Sequence, residues 1–175
     1  MVKKNQETLW FHAGEFSDSL ALSHITGELP VYFETFKNSP QLKLELRTKS
    51  ANVSELLKLA PLPNVITSFS LSPGQRIQKT DLKTPSLTHR LLAMSKLQKA
   101  GHPIAIHLDP VIHEDNFEAS YLTLFKEISS YLDINDIEYL SIGVVRFTGD
   151  VYRQVLKNYP KSELHAAEFL SLIHI

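Results

Sequence analysis

Two rhythms alternate along the chain. Short apolar runs with a period near two, bounded by Gly, Pro, Asn or Ser, predict strands over 9–16 (LWFHAGEF), 43–49 (KLELRTK), 65–72 (VITSFSLS), 103–111 (PIAIHLDPV) and 137–147 (IEYLSIGVVRF). Helical spacing falls between them. Leu22, Ile25, Leu29, Tyr32, Phe33 and Phe36 form one such stripe. SANVSELLKL predicts a short helix with Ser50 or Asn52 near its cap. TPSLTHRLLAMSKLQKAG predicts a longer helix with a Ser cap and a stop at Gly101. NFEASYLTLFKEISSYL and GDVYRQVLKNYP supply two more helices, whereas PGQRIQKTDLKTP reads as a polar connection. Five strands alternating with helices predict a parallel α/β sheet or barrel, one domain over 1–175. No internal repeat or low-complexity segment interrupts it.

The faces of these strands carry more information. Leu44, Leu46 and Thr48 share one face of 43–49, with Glu45, Arg47 and Lys49 on the other. Ser68, Ser70 and Ser72 lie opposite Thr67, Phe69 and Leu71, and His107 and Asp109 lie opposite Ile104, Ile106 and Leu108. A parallel strand covered on both sides is normally apolar on both. A barrel with a polar, water- or ligand-filled interior accounts for this, and Glu15, Lys49, Ser72 and Asp109 would then converge at the carboxyl strand ends. The alternative is that Glu45, Arg47 and Lys49 line an exposed edge strand.

Composition narrows the function. A chain of 175 residues with 43% hydrophobic and 21% charged residues suits one domain with a sizeable core. Net charge is −1, so no basic field advertises nucleic acid or a membrane surface. There is no cysteine, which excludes disulfides and any thiolate-ligated metal or cluster held by this chain alone. No long apolar segment opens the chain, and a cytoplasmic location is the default expectation.

The segments GEFSDSLALSHITGE, LELRTKSANVSELLKL, TSFSLSPGQ, TPSLTHRLLAMSKLQKAGHPIAIHLDPVIH and VVRFT…VLKNYPKSEL follow in an order and spacing that resembles spore photoproduct lyase-like radical SAM proteins. The resemblance runs from about residue 9 to about residue 165. It implies a partial (β/α) barrel of radical SAM type, with S-adenosylmethionine (SAM) and a 4Fe–4S cluster as cofactors. It also implies residue roles. Gly14 and Glu15 stand where such enzymes keep a Gly-Glu motif that contacts the SAM amino group. Ser17 and Asp18 match the polar turn after it. Lys49 and Ser70 match positions that contact the SAM carboxylate and ribose side, and Asp109 falls where a strand approaches the adenosine. Arg90 and Arg146 match recurrent positions with structural roles.

Two departures accompany the matches. The CxxxCxxC motif that holds the cluster lies upstream of the Gly-Glu strand in the family and is absent here, so the resemblance implies a fragment, incomplete at both ends, that is inactive alone. Spore photoproduct lyases carry at the place of Glu15 a cysteine that returns a hydrogen atom to the product radical. A carboxylate O–H bond is too strong for that role, so the resemblance implies radical chemistry on an unidentified substrate, with nucleic acid one candidate. The residues 166–175 depart from the family pattern and receive no reading.

Another class of function has its own residues. His107 and Asp109, with His12 and His113, have ligand types that metal-dependent hydrolases of barrel fold place at strand ends. A non-catalytic α/β interaction domain is the third reading. The expectations open to the structure are a sequential parallel sheet and one concavity shared by Glu15, Lys49, Ser70 and Asp109.

Overall fold

The strand patterns pair as parallel ladders in the order β1 (Leu9–Ala13), β2 (Leu42–Thr48), β3 (Val65–Ser70), β4 (Ile104–Val111), β5 (Ile137–Val144). The structure is a computed structural model that describes residues 8–14, 17–112, 115–145 and 147–160. Helices α1 (Ser23–Thr26), α2 (Leu29–Lys37), α3 (Gly74–Thr80), α4 (Leu87–Lys99), α5 (Phe117–Tyr131) and α6 (Gly149–Asn158) complete the described elements. Parallel neighbours need crossovers, and sequential order with a helix in each is the least tangled way to make them.

One face of the sheet carries the core. Leu44 and Leu46 of β2, Val65 and Phe69 of β3, and Ile104, Ile106 and Leu108 of β4 pack with Leu29, Phe33 and Phe36 of α2, Leu87, Leu91, Met94 and Leu97 of α4, and Leu124 and Ile128 of α5. At about 1.5–3 kcal/mol for each fully buried large aliphatic or aromatic side chain, this layer supplies the driving force for folding. The opposite face curls. Trp10 on β1 and Tyr139 on β5 belong to the two outermost strands, yet their ring centroids are 5.9 Å apart. The sheet is therefore a half-barrel whose inner face closes on itself.

The helix ends follow from local chemistry. Ser86 accepts the amide of His89 at the start of α4. At the other end Gly101 takes φ +82°, with its amide on the Gln98 carbonyl and that of His102 on Leu97, the paired bonds of a Schellman stop. Three expectations change. The stripe from Leu22 to Phe36 is two helices, because Gly27 at φ +65° breaks it, and Leu22 and Ile25 are exposed. The helix expected in 50–59 is only a 3-10 turn, Leu56–Lys58. There Ser50 Oγ accepts the Asn52 amide and Asn52 Oδ1 accepts from Ser54, local bonds that compete with a helical ladder. Within the expected polar connection lies α3, which had no visible period because Ile77 is its one buried apolar residue. No helix among the described residues is long and apolar enough to cross a membrane.

Candidate functional site

A cavity of about 410 Å³ opens at the carboxyl ends of the strands, lined by Gly14, Ser17, Arg47, Thr48, Lys49, Ser70, His107 and Asp109. The volume is in the range of small-molecule sites. Its first wall is the turn after β1. Gly14 has φ +85°, and a Cβ there would stand 2.6 Å from the Arg47 carbonyl oxygen and from Ser19 Oγ. Only glycine lets the chain leave β1 in this left-handed conformation while the Ser19 amide donates to the Arg47 carbonyl at 3.0 Å.

Asp18 locks the same turn to β2. Its Oδ1 accepts from the Leu20 and Ala21 amides and from Thr48 Oγ1 at 2.6 Å, and its Oδ2 from the Lys49 amide at 2.7 Å. With both oxygens engaged, Asp18 shapes the cavity without lining it. The opposite wall is a chain of charges. Lys49 Nζ donates to Asp81 Oδ1 at 2.6 Å, and Asp81 Oδ2 accepts from Arg90 at 3.1 Å. Arg90 is fully buried and also donates to the carbonyls of Pro85 and Ser70 and to Thr84 Oγ1. Burial pulls its pKa below that of a free guanidinium, while Asp81 and Asp18 oppose the shift. One buried cation thus sets two cavity residues, Lys49 through Asp81 and Ser70 through its carbonyl. Asp109 stands where the β4–β5 register slips between Leu108 and Val111, a place where ladders re-aim side chains. Gly143 makes room for it, since a Cβ there would sit 2.7 Å from the Asp109 carboxyl carbon.

Deeper in the half-barrel lies a buried carboxylate. Glu45 is 1% exposed. Its oxygens accept from Ser68 Oγ at 2.5 Å, from His107 Nε2 at 2.6 Å and from His12 Nδ1, with Arg47 at 3.5 Å and a further bond from the Tyr139 hydroxyl. Burial alone would raise its pKa, but the bonds from His107, Ser68, Tyr139 and His12 together outweigh it and hold the group well below the usual carboxylate range. Tyr139 shifts the other way, raised by burial and by its bond and charge contact with Glu45. An ionised carboxylate only accepts, so Nε2 of His107 carries its proton toward Glu45. The other ring nitrogen, Nδ1, is buried without a protein partner.

The family profile described as spore photoproduct lyase matches residues 1–169. The chain belongs to the spore photoproduct lyase family. The Bacillus subtilis spore photoproduct lyase is 28% identical over 170 residues, covering 96% of this chain and 50% of that protein. The Clostridium acetobutylicum spore photoproduct lyase is 25% identical over 162 residues, covering 93% and 48%. A spore photoproduct lyase complexed with dinucleoside spore photoproduct superposes with a TM-score of 0.79 at 26% identity. A mutant spore photoproduct lyase with bound AdoMet and dinucleoside spore photoproduct gives 0.78 at 26%. Each structure is matched over 95% of this chain and 48% of its own length. The chain spans about half the length of the relatives it matches.

Of the seven residues that the spore photoproduct lyase resemblance pointed to, Gly14, Ser17, Lys49, Ser70 and Asp109 line the one cavity, and Asp18 braces it. Glu15 lies outside the described residues, as do Arg146 and His113. Arg90 has the structural role expected of it. The edge-strand alternative fails, because β2 is second in the sheet and Glu45 is buried inside the curve. Among the described residues no group of three His, Asp or Glu side chains is arranged to hold a metal ion. The His107 and His12 nitrogens that would have to ligate are instead spent on Glu45. Sequence reasoning missed Asp81, Tyr139 and the engagement of Glu45. Alternation did mark Glu45 and Arg47 as inward-facing, but Asp81 sits in the polar connection with no periodic signal.

Proposed function

We propose that this chain supplies the SAM-binding half of a radical SAM enzyme acting on a nucleic-acid-type substrate. The observation that carries the reading is the gathering of Gly14, Ser17, Lys49, Ser70 and Asp109 on one cavity, in a chain of the spore photoproduct lyase family. The donor set suits the cofactor. Lys49 offers an oriented ammonium for a carboxylate, Ser17 and Ser70 offer hydroxyls, and Asp109 has the free space beside Gly143 to accept from a ribose hydroxyl. The positive-φ turn at Gly14 brings backbone close to the ligand, as glycine turns at cofactor sites do. Glu15, next in the chain, is assigned to the SAM ammonium on the resemblance. SAM, reduced by one electron from a 4Fe–4S cluster, supplies the radical that opens the reaction. The chain has no cysteine, so such a cluster takes its thiolates from outside this sequence, and no step is derived through it. What these residues do themselves is bind, orient and shield the cofactor.

The test is a titration of SAM into the isotopically labelled chain, followed by NMR. The amides of Gly14, Ser17, Thr48, Lys49, Ser70 and Asp109 are expected to shift together, with weak affinity for want of the cluster. Lys49→Met should weaken binding roughly fivefold, about 1 kcal/mol, because a half-exposed ammonium already shared with Asp81 contributes modestly. Shifts confined to residues away from the cavity would overturn the assignment. With a CxxxCxxC-bearing segment of the same protein restored, reduction should yield 5′-deoxyadenosine.

A further inference from the structure

The inner face of the half-barrel is not obliged to be polar. Ile66 and Ala105 lie on it, between the same strands, and are fully buried. Yet at the next positions the chain places Glu45, Arg47 and His107 side by side. Removing a carboxylate from water costs several kcal/mol unless every lone pair is satisfied, and Glu45 is satisfied by donors drawn from β1, β3, β4 and β5. So much machinery spent on one carboxylate has a consequence at the cavity, where His107 and Arg47 are lining residues.

His107 is 5% exposed, lines the cavity, and has no protein partner at Nδ1. Because Glu45 takes the Nε2 proton, the neutral ring offers Nδ1 as a hydrogen-bond acceptor of fixed orientation. Beside it the Arg47 guanidinium stands 3.4 Å from the same ring and also lines the cavity, with its Nε buried and unpartnered. Arg47 can only donate. An acceptor and a donor therefore sit next to each other, each with capacity unused by the protein, and a buried polar atom without a partner costs about 1–3 kcal/mol. A ligand that meets both needs carries a donor next to an acceptor on one rigid edge.

We propose that His107 and Arg47, oriented by Glu45, form a substrate-recognition subsite that takes the adjacent N–H and C=O groups of a nucleobase. The inference rests on the proposed function for the substrate class, but it assigns residues that the cofactor reading leaves unused. His107 accepts from the base N–H, and Arg47 donates to the neighbouring carbonyl. Glu45 is a positioning residue here. It holds the ring by its far nitrogen and keeps the near one free to accept. Asp109, two residues on along the same face, marks the boundary with the cofactor residues.

Thymidine and N3-methylthymidine, titrated into the full chain with and without saturating SAM, test the subsite. Thymidine should move the ring ¹⁵N resonance of His107 Nδ1 and the Arg47 Nε–H signal. N3-methylthymidine, whose donor is blocked, should bind about tenfold more weakly, the loss of one hydrogen bond plus the clash of a methyl group. His107→Phe should abolish the difference between the two nucleosides while the SAM-induced shifts at Ser17, Lys49 and Ser70 persist. Equal binding of the two nucleosides to the unaltered chain, or thymidine shifts that bypass His107 and Arg47, overturns the subsite whether or not the Phe variant folds. Absence of SAM shifts with a normal thymidine response would instead count against the cofactor reading alone.

Discussion

Arg90→Met isolates the charge chain that shapes the cavity. Methionine fills most of the aliphatic volume of the arginine stem, so the change is mainly polar. It removes four donations at once: to Asp81 Oδ2, Thr84 Oγ1, and the carbonyls of Pro85 and Ser70. Breaking a buried ion pair from one side costs about 3–5 kcal/mol, and each orphaned buried carbonyl adds about 1–3 kcal/mol, less when the sites relax together. Asp81 keeps Lys49 as a partner and its side chain is 15% exposed, which moves the expectation to the low end, about 3 kcal/mol. For a domain of this size that lowers the melting temperature by roughly 6–12 °C. Urea unfolding should show a shifted midpoint with an unchanged m-value, the mark of lost stability in a structure of the same compactness. Arg90→Lys should recover part of the loss, since an ammonium keeps the charge but cannot span acceptors on opposite sides of a planar fork. A loss below about 1 kcal/mol in the Met variant would show that the four bonds are no better than those to water, and the bracing role would fall.

Stability should fall as pH drops through the range below the ordinary carboxylate value of 4.5, because Glu45 binds its proton more readily unfolded than folded, and its contribution is fully present above that value. Glu45→Gln should flatten this acid limb in urea midpoints measured from pH 6 to pH 3, and an unchanged slope would contradict the assignment. Tyr139 should remain un-ionised as pH passes 10, visible as a late phenol in an ultraviolet titration that Tyr139→Phe removes. Gly14→Ala should destabilise the turn by about 1–3 kcal/mol, because its Cβ would meet backbone at 2.6 Å and its φ is +85°; hydrogen exchange at the Ser19 amide should accelerate while β4 stays protected.

What was legible in the residues is what repeats locally. Leu44, Glu45, Leu46 and Arg47 alternate strictly, and that alternation sorted them to the two faces of β2 before any fold was known. The same pattern could not say whether Glu45 faced water or a closed interior. That depended on the curl that brings Trp10 to Tyr139, a contact between residues far apart in the chain. The His107–Glu45 bond spans 62 positions and the Lys49–Asp81 bond 32, and no local period encodes either. α3 escaped for a related reason: with Ile77 alone buried, its amphipathic signal is a single residue. Ser86 and Gly101, by contrast, act through their own backbone and were readable as a helix start and stop.

The division of labour between the two sheet faces explains why the site is where it is. The outer face buys stability with aliphatic packing under α2, α4 and α5, and this leaves the inner face free of that duty. Charges can then be buried inside the curve, provided that each is met by several donors, as Glu45 is, or by a cation that is itself anchored, as Asp81 is. A strand in a flat sheet covered on both sides could not hold Glu45, Ser68 and His107 on one side without stripping them of partners. Curvature brings β1 and β5 within reach of the same carboxylate. A network of this kind is rigid because losing any one member leaves another buried and unpaired. Rigidity of that order is what a cavity needs if Arg47, Lys49, Ser70, His107 and Asp109 are to present fixed donors and acceptors to a ligand.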